Sequence, residues 1–90
     1  MLYAVFYETA ADGLAKVPEV MPGHREHWRR FLADGTLKLI GPFNPPSHGA
    51  LGIFTTREAA EDFATHDPFV LHGVVARWRL EEWMEAVGSD

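Results

Sequence analysis

The first strand-like segment of the chain constrains the fold more than any other feature. Leu2-Tyr3-Ala4-Val5-Phe6-Tyr7 is an uninterrupted run of apolar and aromatic residues. A strand with one solvated face alternates apolar and polar side chains, whereas a continuous apolar run is typical of a strand covered on both faces. We therefore predict that this segment is a central strand of a sheet.

The length of the chain limits what can cover that strand. Ninety residues support one hydrophobic core, so we expect a single domain over residues 1–90. A domain of this size buries only about 60–65% of the surface that its unfolded chain exposes, which predicts modest stability. Oligomerisation would add to that stability.

Composition argues against several classes of function. The formal charge is −5 and the basic residues are scattered, so we expect no nucleic-acid partner. Cysteine is absent, which excludes a disulfide framework and thiolate chemistry. No apolar run approaches the ~18 residues of a membrane span, and the N-terminus has no basic flank or cleavage signature of a signal peptide. We predict a cytoplasmic protein with no membrane partner.

A first helix is predicted from its two ends. Pro18 and Pro22 restrict the backbone that precedes them, so we expect a lead-in segment there and a helix established by His24. Gly35 follows Asp34 in a position typical of a helix C-cap. The predicted helix therefore runs from about His24 to about Asp34.

Helical spacing predicts which side of this helix faces the core. Trp28, Phe31 and Leu32 form its apolar stripe. His24 precedes Trp28 by four positions, which puts its side chain on or beside that stripe, near the helix N-terminus. The position of His27 is compatible with either side.

A hairpin and a second helix follow. Thr36–Ile40, which stops at Gly41-Pro42, and Ala50–Phe54 are predicted as two strands around the loop Asn44–Gly49. Thr55 with Glu58 three residues later fits a capping box for the second helix, which Asp67-Pro68 ends. The apolar positions of that helix recur at helical spacing: Ala59, Ala60, Phe63 and Ala64.

The last strand is predicted over Val74–Leu80, and alternation assigns its side chains to two faces. One face carries Ala76, Trp78 and Leu80. The other face carries Val75, Arg77 and Arg79. Arg77 and Arg79 are therefore predicted to point away from Trp78.

The order β-α-β-β-α-β predicts an α+β, ferredoxin-like fold with an antiparallel sheet and both helices on one sheet face. The opposite face is then expected to be too apolar for water. Leu51 and Ile53 extend the apolar character of the first strand on one side of the sheet. A homodimer formed face to face would cover this surface.

The five histidines do not form a convincing metal site. His24 and His27 are three residues apart and can share a helix face, but no cysteine and no H-E-x-x-H pattern accompanies them. Glu26 lies about 200° from His24 around the helix, so the two cannot converge. We expect His48 and His72 to be solvated, and we predict no metal.

Two residues remain open to both a structural and a chemical interpretation. Asp67 lies at the C-terminal end of a helix, where the dipole disfavours a carboxylate, so another interaction is expected to place it there. The simpler interpretation is that Asp before Pro stops the helix and that Phe69 fills the core. His24 is likewise either a packed, hydrogen-bonded histidine at the core edge or a catalytic one.

Taken together, these segments resemble the YCII-related (YciI-like) family. The resemblance covers nearly the whole chain and is carried by the Tyr3–Tyr7 strand, Pro22-Gly23-His24, Gly41-Pro42 and Asp67-Pro68-Phe69. The combination of His24 with Asp67-Pro68-Phe69 is its most specific part. The other segments are compatible with many ferredoxin-like chains.

The resemblance implies a homodimer in which two sheets pack into a dimeric α/β barrel. It also implies that His24 and Asp67 meet in a pocket and form the active site. The known precedent in the family is a dehydrochlorinase that acts on a chlorinated hydroxyquinol, and related barrels include muconolactone isomerases and small monooxygenases that act on ring compounds.

This implied pair has a clear chemical use. Asp67 would hold one ring nitrogen of His24, fixing its tautomer and strengthening it as a base, while the other nitrogen takes or gives a proton. No Ser, Thr or Cys is placed as a nucleophile against the pair, so isomerisation or elimination on a small ring is favoured over acyl transfer.

The candidate substrate-binding residues are Tyr7, Trp28, Pro68 and Phe69. Tyr7, Trp28 and Phe69 could equally be aromatic residues of the hydrophobic core. The loop Asn44–Gly49 has no phosphate cradle or dinucleotide fingerprint, so we predict no cofactor.

Three functions therefore stay open at this stage. The first is a small enzyme that uses His24 and Asp67 for proton transfer on a small ring compound. The second is a dimeric module that binds a small ligand without a reaction. The third is a purely structural dimer, in which the pair is a stabilising hydrogen bond.

Overall fold

The computed structural model describes residues 1–88, and within them one four-stranded sheet carries three α-helices. The strands are β1 (Leu2–Thr9), β2 (Leu37–Pro42), β3 (Ala50–Phe54) and β4 (Val75–Trp83). The helices are α1 (Gly13–Ala33), α2 (Arg57–His66) and α3 (Pro68–Leu71), and a 3₁₀ helix spans Pro46–His48. None of the helices within residues 1–88 combines the length and the apolarity that a membrane crossing requires.

The sheet has the order β2-β3-β1-β4 and every pair is antiparallel. The first strand lies between two neighbours, which confirms the prediction of a central strand. The α+β class and the antiparallel sheet are also confirmed, and the strand order is that of a ferredoxin-like fold.

An aromatic core fills the space between the sheet and the helices. Phe63 of α2 lies at its centre, with its ring centroid 5.0 Å from that of Phe54 and 5.3 Å from that of Phe31. Phe54 and Phe63 are fully buried. Burial of each such ring stabilises the fold by roughly 1.5–3 kcal/mol, so these contacts hold α1 and α2 against the sheet.

The start of α1 corrects the sequence prediction. The helix begins at Gly13 rather than near His24, and Pro18 and Pro22 lie inside it. Each proline removes one backbone hydrogen bond, but both prolines and Leu14 are exposed, so the carbonyls of Leu14 and Pro18 that lose their helical partners can be hydrated. The local proline rule is thus outweighed by the packing of the whole helix.

The end of α1 agrees with the prediction. Gly35 adopts a φ of 84°, and its N–H bonds the carbonyl of Leu32 at 3.2 Å. The N–H of Thr36 bonds the carbonyl of Phe31 at 3.1 Å. These two bonds form a Schellman motif, for which a glycine at the left-handed position is the usual residue.

The buried side of α1 differs in part from the predicted stripe. Phe31 is buried and Trp28 is partly buried, but Leu32 is 52% exposed. His24 and His27 take the inner positions instead. Both histidines find hydrogen-bond partners inside the protein, which allows polar rings to replace an apolar side chain there.

The second helix has the predicted interior but a different cap. Ala59, Ala60, Phe63 and Ala64 are all buried, as predicted. The N-cap is Thr56, whose hydroxyl accepts a bond from the N–H of Ala59 at 3.1 Å, so the Thr55–Glu58 capping box was wrong by one residue. Asp67-Pro68 ends α2 as predicted, and Pro68 also begins α3.

A bulge near the start of β4 changes the sheet face on which its first residues lie. In β4, Arg77 pairs with Glu8 and Val75 with Thr9, so Ala76 is an extra residue and Val75 joins the core. The prediction that Val75 shares a face with Arg77 was therefore wrong, because one inserted residue reverses the side-chain alternation. Arg77 and Arg79 do lie opposite the Trp78 face, as predicted.

The sheet face away from the helices is apolar over three strands. Leu39, Ile53 and Ala4 form one row across β2, β3 and β1, and Leu51 and Phe6 are neighbours in the next row. Leu39 is 69% exposed, Leu51 and Phe6 are partly exposed, and Ile53 and Ala4 are buried beneath their neighbours. We call this surface, defined by these five residues, the open sheet face.

The turn before β3 yields a testable prediction. Gly49 adopts a φ of 109°, and a side chain there would collide with the backbone carbonyl of Tyr7. We expect Gly49→Ala to lower the free energy of unfolding, measured by urea denaturation, by at least about 1 kcal/mol. Gly41→Ala is the matched control, since no described atom outside its two chain neighbours lies within 4 Å of the added methyl group. Equal stability of the two variants would contradict the assignment.

Candidate active site

A fully buried carboxylate lies at the centre of the site. Asp67 is 0% exposed, and its Oδ2 accepts a bond from the hydroxyl of Tyr7 at 2.7 Å. Its Oδ1 accepts from the backbone N–H of Phe69 at 3.0 Å and lies 2.7 Å from Nδ1 of His24. A buried charge without partners is very unfavourable, and three donors to one carboxylate compensate for the lost water.

The local sequence explains why Asp67 can occupy this position. Asp67 ends α2 and is also the N-cap of α3, with Pro68 as the first helical residue. Proline has no N–H to leave unpaired, and the next N–H, of Phe69, reaches the Asp67 side chain. Asp67 therefore ends the helix at a turn, as the simpler interpretation predicted. Its carboxylate also makes the further interaction that its position at a helix C-terminus led us to expect.

His24 is held on two sides. Its Nδ1 faces the Asp67 carboxylate, and its ring is stacked on that of Phe69 with the centroids 3.7 Å apart and the planes 4° apart. With the carboxylate ionised, Nδ1 carries the hydrogen and donates it. Within residues 1–88 the other nitrogen, Nε2, has no hydrogen-bond partner, and it is not a buried unsatisfied atom. His24 lines a cavity, so Nε2 is the ring nitrogen available to a bound molecule.

Tyr7 completes the group as a permanent donor. Burial raises the pKa of the Tyr7 hydroxyl above its ordinary value. The negative charge of Asp67 and the hydrogen bond to Asp67 raise this pKa further. Tyr7 therefore remains protonated. The sequence predicted that Tyr7 lines the cavity. It did not predict the hydrogen bond to Asp67, because the two residues are 60 positions apart in the chain.

The cavity beside His24 has a volume of about 570 Å³ and lies among α1, the sheet and the β2–β3 connection. Leu14, Val17, Met21 and Trp28 of α1 contribute to its wall. The first three were missed because Pro18 and Pro22 suggested a non-helical lead-in. The signal was present, since Leu14, Val17, Met21 and Trp28 recur at the spacing of one helix face.

The other predicted site residues divide into two groups. Tyr7, Trp28 and Phe69 line the cavity together with His24. Pro68 is not among the lining residues; it packs beside Gly23, where an added methyl group would lie 3.3 Å from its Cγ. Their roles in substrate binding stay predictions.

The remaining histidines have separate environments. His27 is 4% exposed, its Nε2 lies 2.9 Å from the carbonyl of Phe63, and a guanidinium nitrogen of Arg30 lies 3.0 Å from its Nδ1. Its two nitrogens are thus both engaged within the fold. His48 and His72 are exposed, as predicted. Within residues 1–88 no three His, Asp or Glu side chains are grouped as metal ligands.

Removal of the Tyr7 hydroxyl tests the role of this donor. We expect Tyr7→Phe to lower the free energy of unfolding by about 1–3 kcal/mol at neutral pH, because Asp67 Oδ2 loses its partner in a buried site. Tyr3→Phe is the control, since within residues 1–88 the Tyr3 hydroxyl has no hydrogen bond. Equal effects of the two changes on urea denaturation would contradict this role.

The raised pKa of Tyr7 gives this prediction a pH dependence. Unfolded tyrosine ionises near pH 10, whereas folded Tyr7 stays protonated well above that value. The stabilisation is therefore complete below about pH 10 and decreases above it, by about 1.4 kcal/mol per pH unit. The stability difference between wild type and Tyr7→Phe should shrink between about pH 10 and 12. A difference independent of pH would show that Tyr7 ionises normally in the folded protein.

Comparison with known proteins places this architecture in a family. The model of the YCII-related domain matches residues 1–84. Protein YciI of Escherichia coli O6:H1 is 32% identical over 85 residues, covering 82% of this chain and 87% of that protein, and Protein YciI of Shigella flexneri matches equally. Among solved structures, 5-chloro-2-hydroxyhydroquinone dehydrochlorinase (TftG) from Burkholderia phenoliruptrix AC1100, in complex with 2,5-dihydroxybenzoquinone, superposes with a TM-score of 0.79 over 96% of both chains. Its sequence identity is 18%, so this likeness concerns the fold. The chain belongs to the YCII-related family.

Proposed function

We propose that the chain is a small enzyme that uses His24 and Asp67 to transfer a proton during the isomerisation of, or elimination from, a small ring compound. One observation carries the proposal. A buried carboxylate holds Nδ1 of His24 at 2.7 Å, while Nε2 has no partner within residues 1–88 and the ring lines a cavity. This arrangement provides a base of defined orientation at a site open to a ligand.

The proposed step moves one proton and one electron pair. Neutral His24 takes a proton from a carbon or hydroxyl group of the ring through Nε2, and the electrons of that bond form a new double bond. In elimination, a leaving group such as chloride departs with the electron pair of its bond to the ring, and the imidazolium then releases the proton to solvent. In isomerisation, the imidazolium returns the proton to another atom. The Asp67 carboxylate stabilises the imidazolium while it exists.

The cavity walls support a ring-shaped substrate. A volume of about 570 Å³ lies within the range of about 300–1,000 Å³ usual for small-molecule sites. Trp28 and Phe69 present aromatic surfaces to it. The structural neighbour is a dehydrochlorinase in complex with a quinone, which supports the same substrate class by analogy of fold.

Acyl transfer is less favoured as the reaction. No Ser, Thr or Cys side chain belongs to the cavity wall as described for residues 1–88. Nucleophilic catalysis needs such a group within hydrogen-bond reach of the base. The available polar groups instead suit movement of a proton.

A ligand-binding module without catalysis is the second candidate. This candidate is favoured because His24 and Asp67 also stabilise the fold. Asp67 caps α3, and its contact with His24 joins α1 to the α2–α3 junction. The hydrogen bonds therefore have a use in the fold even without a reaction. Only the unpartnered Nε2 distinguishes the two proposals.

Replacement of His24 by asparagine separates these roles. The Asn amide can place an N–H close to the position of Nδ1, so it retains a donor to Asp67 but has no nitrogen at Nε2. We expect His24→Asn to change the free energy of unfolding by about 1 kcal/mol or less and to lower the rate of chloride release from 5-chloro-2-hydroxyhydroquinone by about 100-fold or more. His72→Asn, at an exposed site, is the control and should retain the wild-type rate.

The outcomes distinguish the candidates. Unchanged turnover in a stable His24→Asn variant would overturn the catalytic role of His24. Saturable binding of ring compounds to the wild type, with no product from any of them, would favour the ligand-binding module. A large loss of stability in the variant would favour the structural interpretation.

We also propose that the enzyme is a cytoplasmic homodimer whose sheets pack face to face into a dimeric α/β barrel. The open sheet face supports this arrangement, because the exposed Leu39 and the partly exposed Leu51 and Phe6 present apolar surface opposite the helices. Two copies of one such surface can form a closed, two-fold interface.

A charge on the open sheet face tests the dimer. We expect Leu39→Lys to reduce the mass measured by light scattering from two chains to one, because it would bury an unpaired charge in the interface. Leu32→Lys is the matched control, since Leu32 is an exposed leucine of α1, away from the sheet. A wild-type protein with the mass of one chain at all concentrations would contradict the proposal.

A further inference from the structure

We infer that Arg25 selects the substrate of this cavity by binding a negatively charged oxygen, so that the preferred ligands are aromatic anions such as aryl carboxylates or ionised phenols. The inference deepens the proposed function and rests on it for the identity of the cavity as the substrate site. It concerns a residue that neither the sequence pattern nor the family resemblance singled out.

Arg25 lies beside the proposed base. It follows His24 directly in α1, and it lines the same cavity. Its side chain is also exposed, so it lies where the cavity opens to solvent. A ligand whose ring reaches Nε2 of His24 can therefore keep a charged group near the opening, where that group retains part of its hydration.

The permanent charge among the lining residues of the cavity is positive. Arg25 is the only residue of permanent charge among the lining residues within the described chain, and no Asp or Glu lines the cavity. The hydroxyl of Tyr7 and Nδ1 of His24 are already engaged with Asp67. Among the lining side chains of residues 1–88, the polar groups left for a ligand are thus Nε2 of His24, the indole of Trp28 and the Arg25 guanidinium, whose planar donor set suits a carboxylate.

Arg25 also lacks a competing partner in the part of the chain that the structure describes. Within residues 1–88 it has no hydrogen bond, ion pair or ring contact, in a chain of net charge −5. The other arginines are all engaged: Arg29 with Trp28, Arg30 with His27, Arg57 with Glu82, Arg77 with Glu8 and Arg79 with Glu81.

The helix itself offers no neutralising charge at this position. The residues three and four positions away are Met21, Pro22, Trp28 and Arg29. None of them is acidic, so no side chain on the neighbouring turns of α1 neutralises Arg25. A guanidinium that the fold leaves unpaired at a cavity opening is available to a ligand.

The three adjacent side chains have complementary uses. His24 supplies the base, Trp28 lies one turn further along the helix and supplies an aromatic surface, and Arg25 supplies the anion contact. A negative charge that develops on the ring when His24 removes a proton would also be stabilised by Arg25. The inference therefore links substrate choice to the reaction step.

A pair of probes that differ in charge but not in shape tests this inference. 4-Hydroxybenzoate and 4-hydroxybenzamide are titrated into the wild-type protein at pH 7 and low salt, and affinities are measured from NMR shifts of the His24 ring. We expect the benzoate to bind about tenfold more tightly, the size of one charge-assisted hydrogen bond. Arg25→Gln should abolish this preference while binding of the benzamide stays within about twofold.

Arg29→Gln is the matched control. It changes the net charge of the same helix by the same amount, but Arg29 does not line the cavity. We expect this variant to keep the preference for the benzoate. A similar loss in both variants would show a general effect of charge and overturn the specific role of Arg25.

Other outcomes also decide the inference. Equal binding of the two probes to the wild type, persistence of the preference in Arg25→Gln, or failure of both probes to bind would each overturn it. The proposed function fails separately, through unchanged turnover in His24→Asn, and charge selection by Arg25 can still be measured by binding in that case.

Discussion

The charge of one buried carboxylate sets the geometry on which the rest of the structure depends. Asp67 has no contact with solvent, and an ionised group in that position costs several kcal/mol unless its oxygens are hydrogen-bonded. Its partners come from three different elements: Tyr7 of β1, His24 of α1 and the N–H of Phe69 in α3. All three must be in place together, so the same bonds that stabilise the charge also fix the first strand, the first helix and the α2–α3 junction relative to one another.

Among residues 1–88, this constraint leaves His24 with one ring nitrogen that has no hydrogen-bond partner. Nδ1 is held at 2.7 Å by Asp67, and the stacking of the ring on Phe69 restricts its rotation. The cavity lies on the remaining side, with the early turns of α1 as one wall. Stability and candidate chemistry therefore depend on the same side chains, which explains why a purely structural interpretation of the pair can be separated from a catalytic one only by a substitution that keeps the bond to Asp67.

The two faces of the sheet have different environments. The helix side is closed by the aromatic core around Phe54 and Phe63, whereas the open sheet face presents Leu39 to solvent. A bulge in β2 produces part of this difference: Leu37 pairs with Phe54 and Leu39 with Ile53, so the two leucines face opposite sides although simple alternation would put them on one. The cavity and the proposed dimer surface consequently lie on opposite sides of one sheet.

Sequence alone determined the features that depend on short-range pattern. The unbroken apolar run Leu2–Tyr7 predicted a central strand, Gly35 predicted the end of α1, and helical spacing predicted the interior of α2. The resemblance carried by His24 and Asp67-Pro68-Phe69 predicted that the pair would meet. The first three predictions succeeded because each rests on a preference that neighbouring residues express. The contact between His24 and Asp67, 43 positions apart, followed only from the resemblance.

Only the tertiary structure decided the features that depend on distant contacts. The start of α1 at Gly13 overrides two prolines, since the apolar side of the whole helix packs beside the cavity. The bulges at Ala76 and Lys38 insert single residues that no composition reveals. The hydroxyl of Tyr7 and the carboxylate of Asp67 are 60 positions apart in the chain, and the unpaired state of Arg25 depends on which acidic side chains approach it. Such properties arise from which segments meet in space, and that is fixed by the packing of the complete fold rather than by any one stretch of sequence.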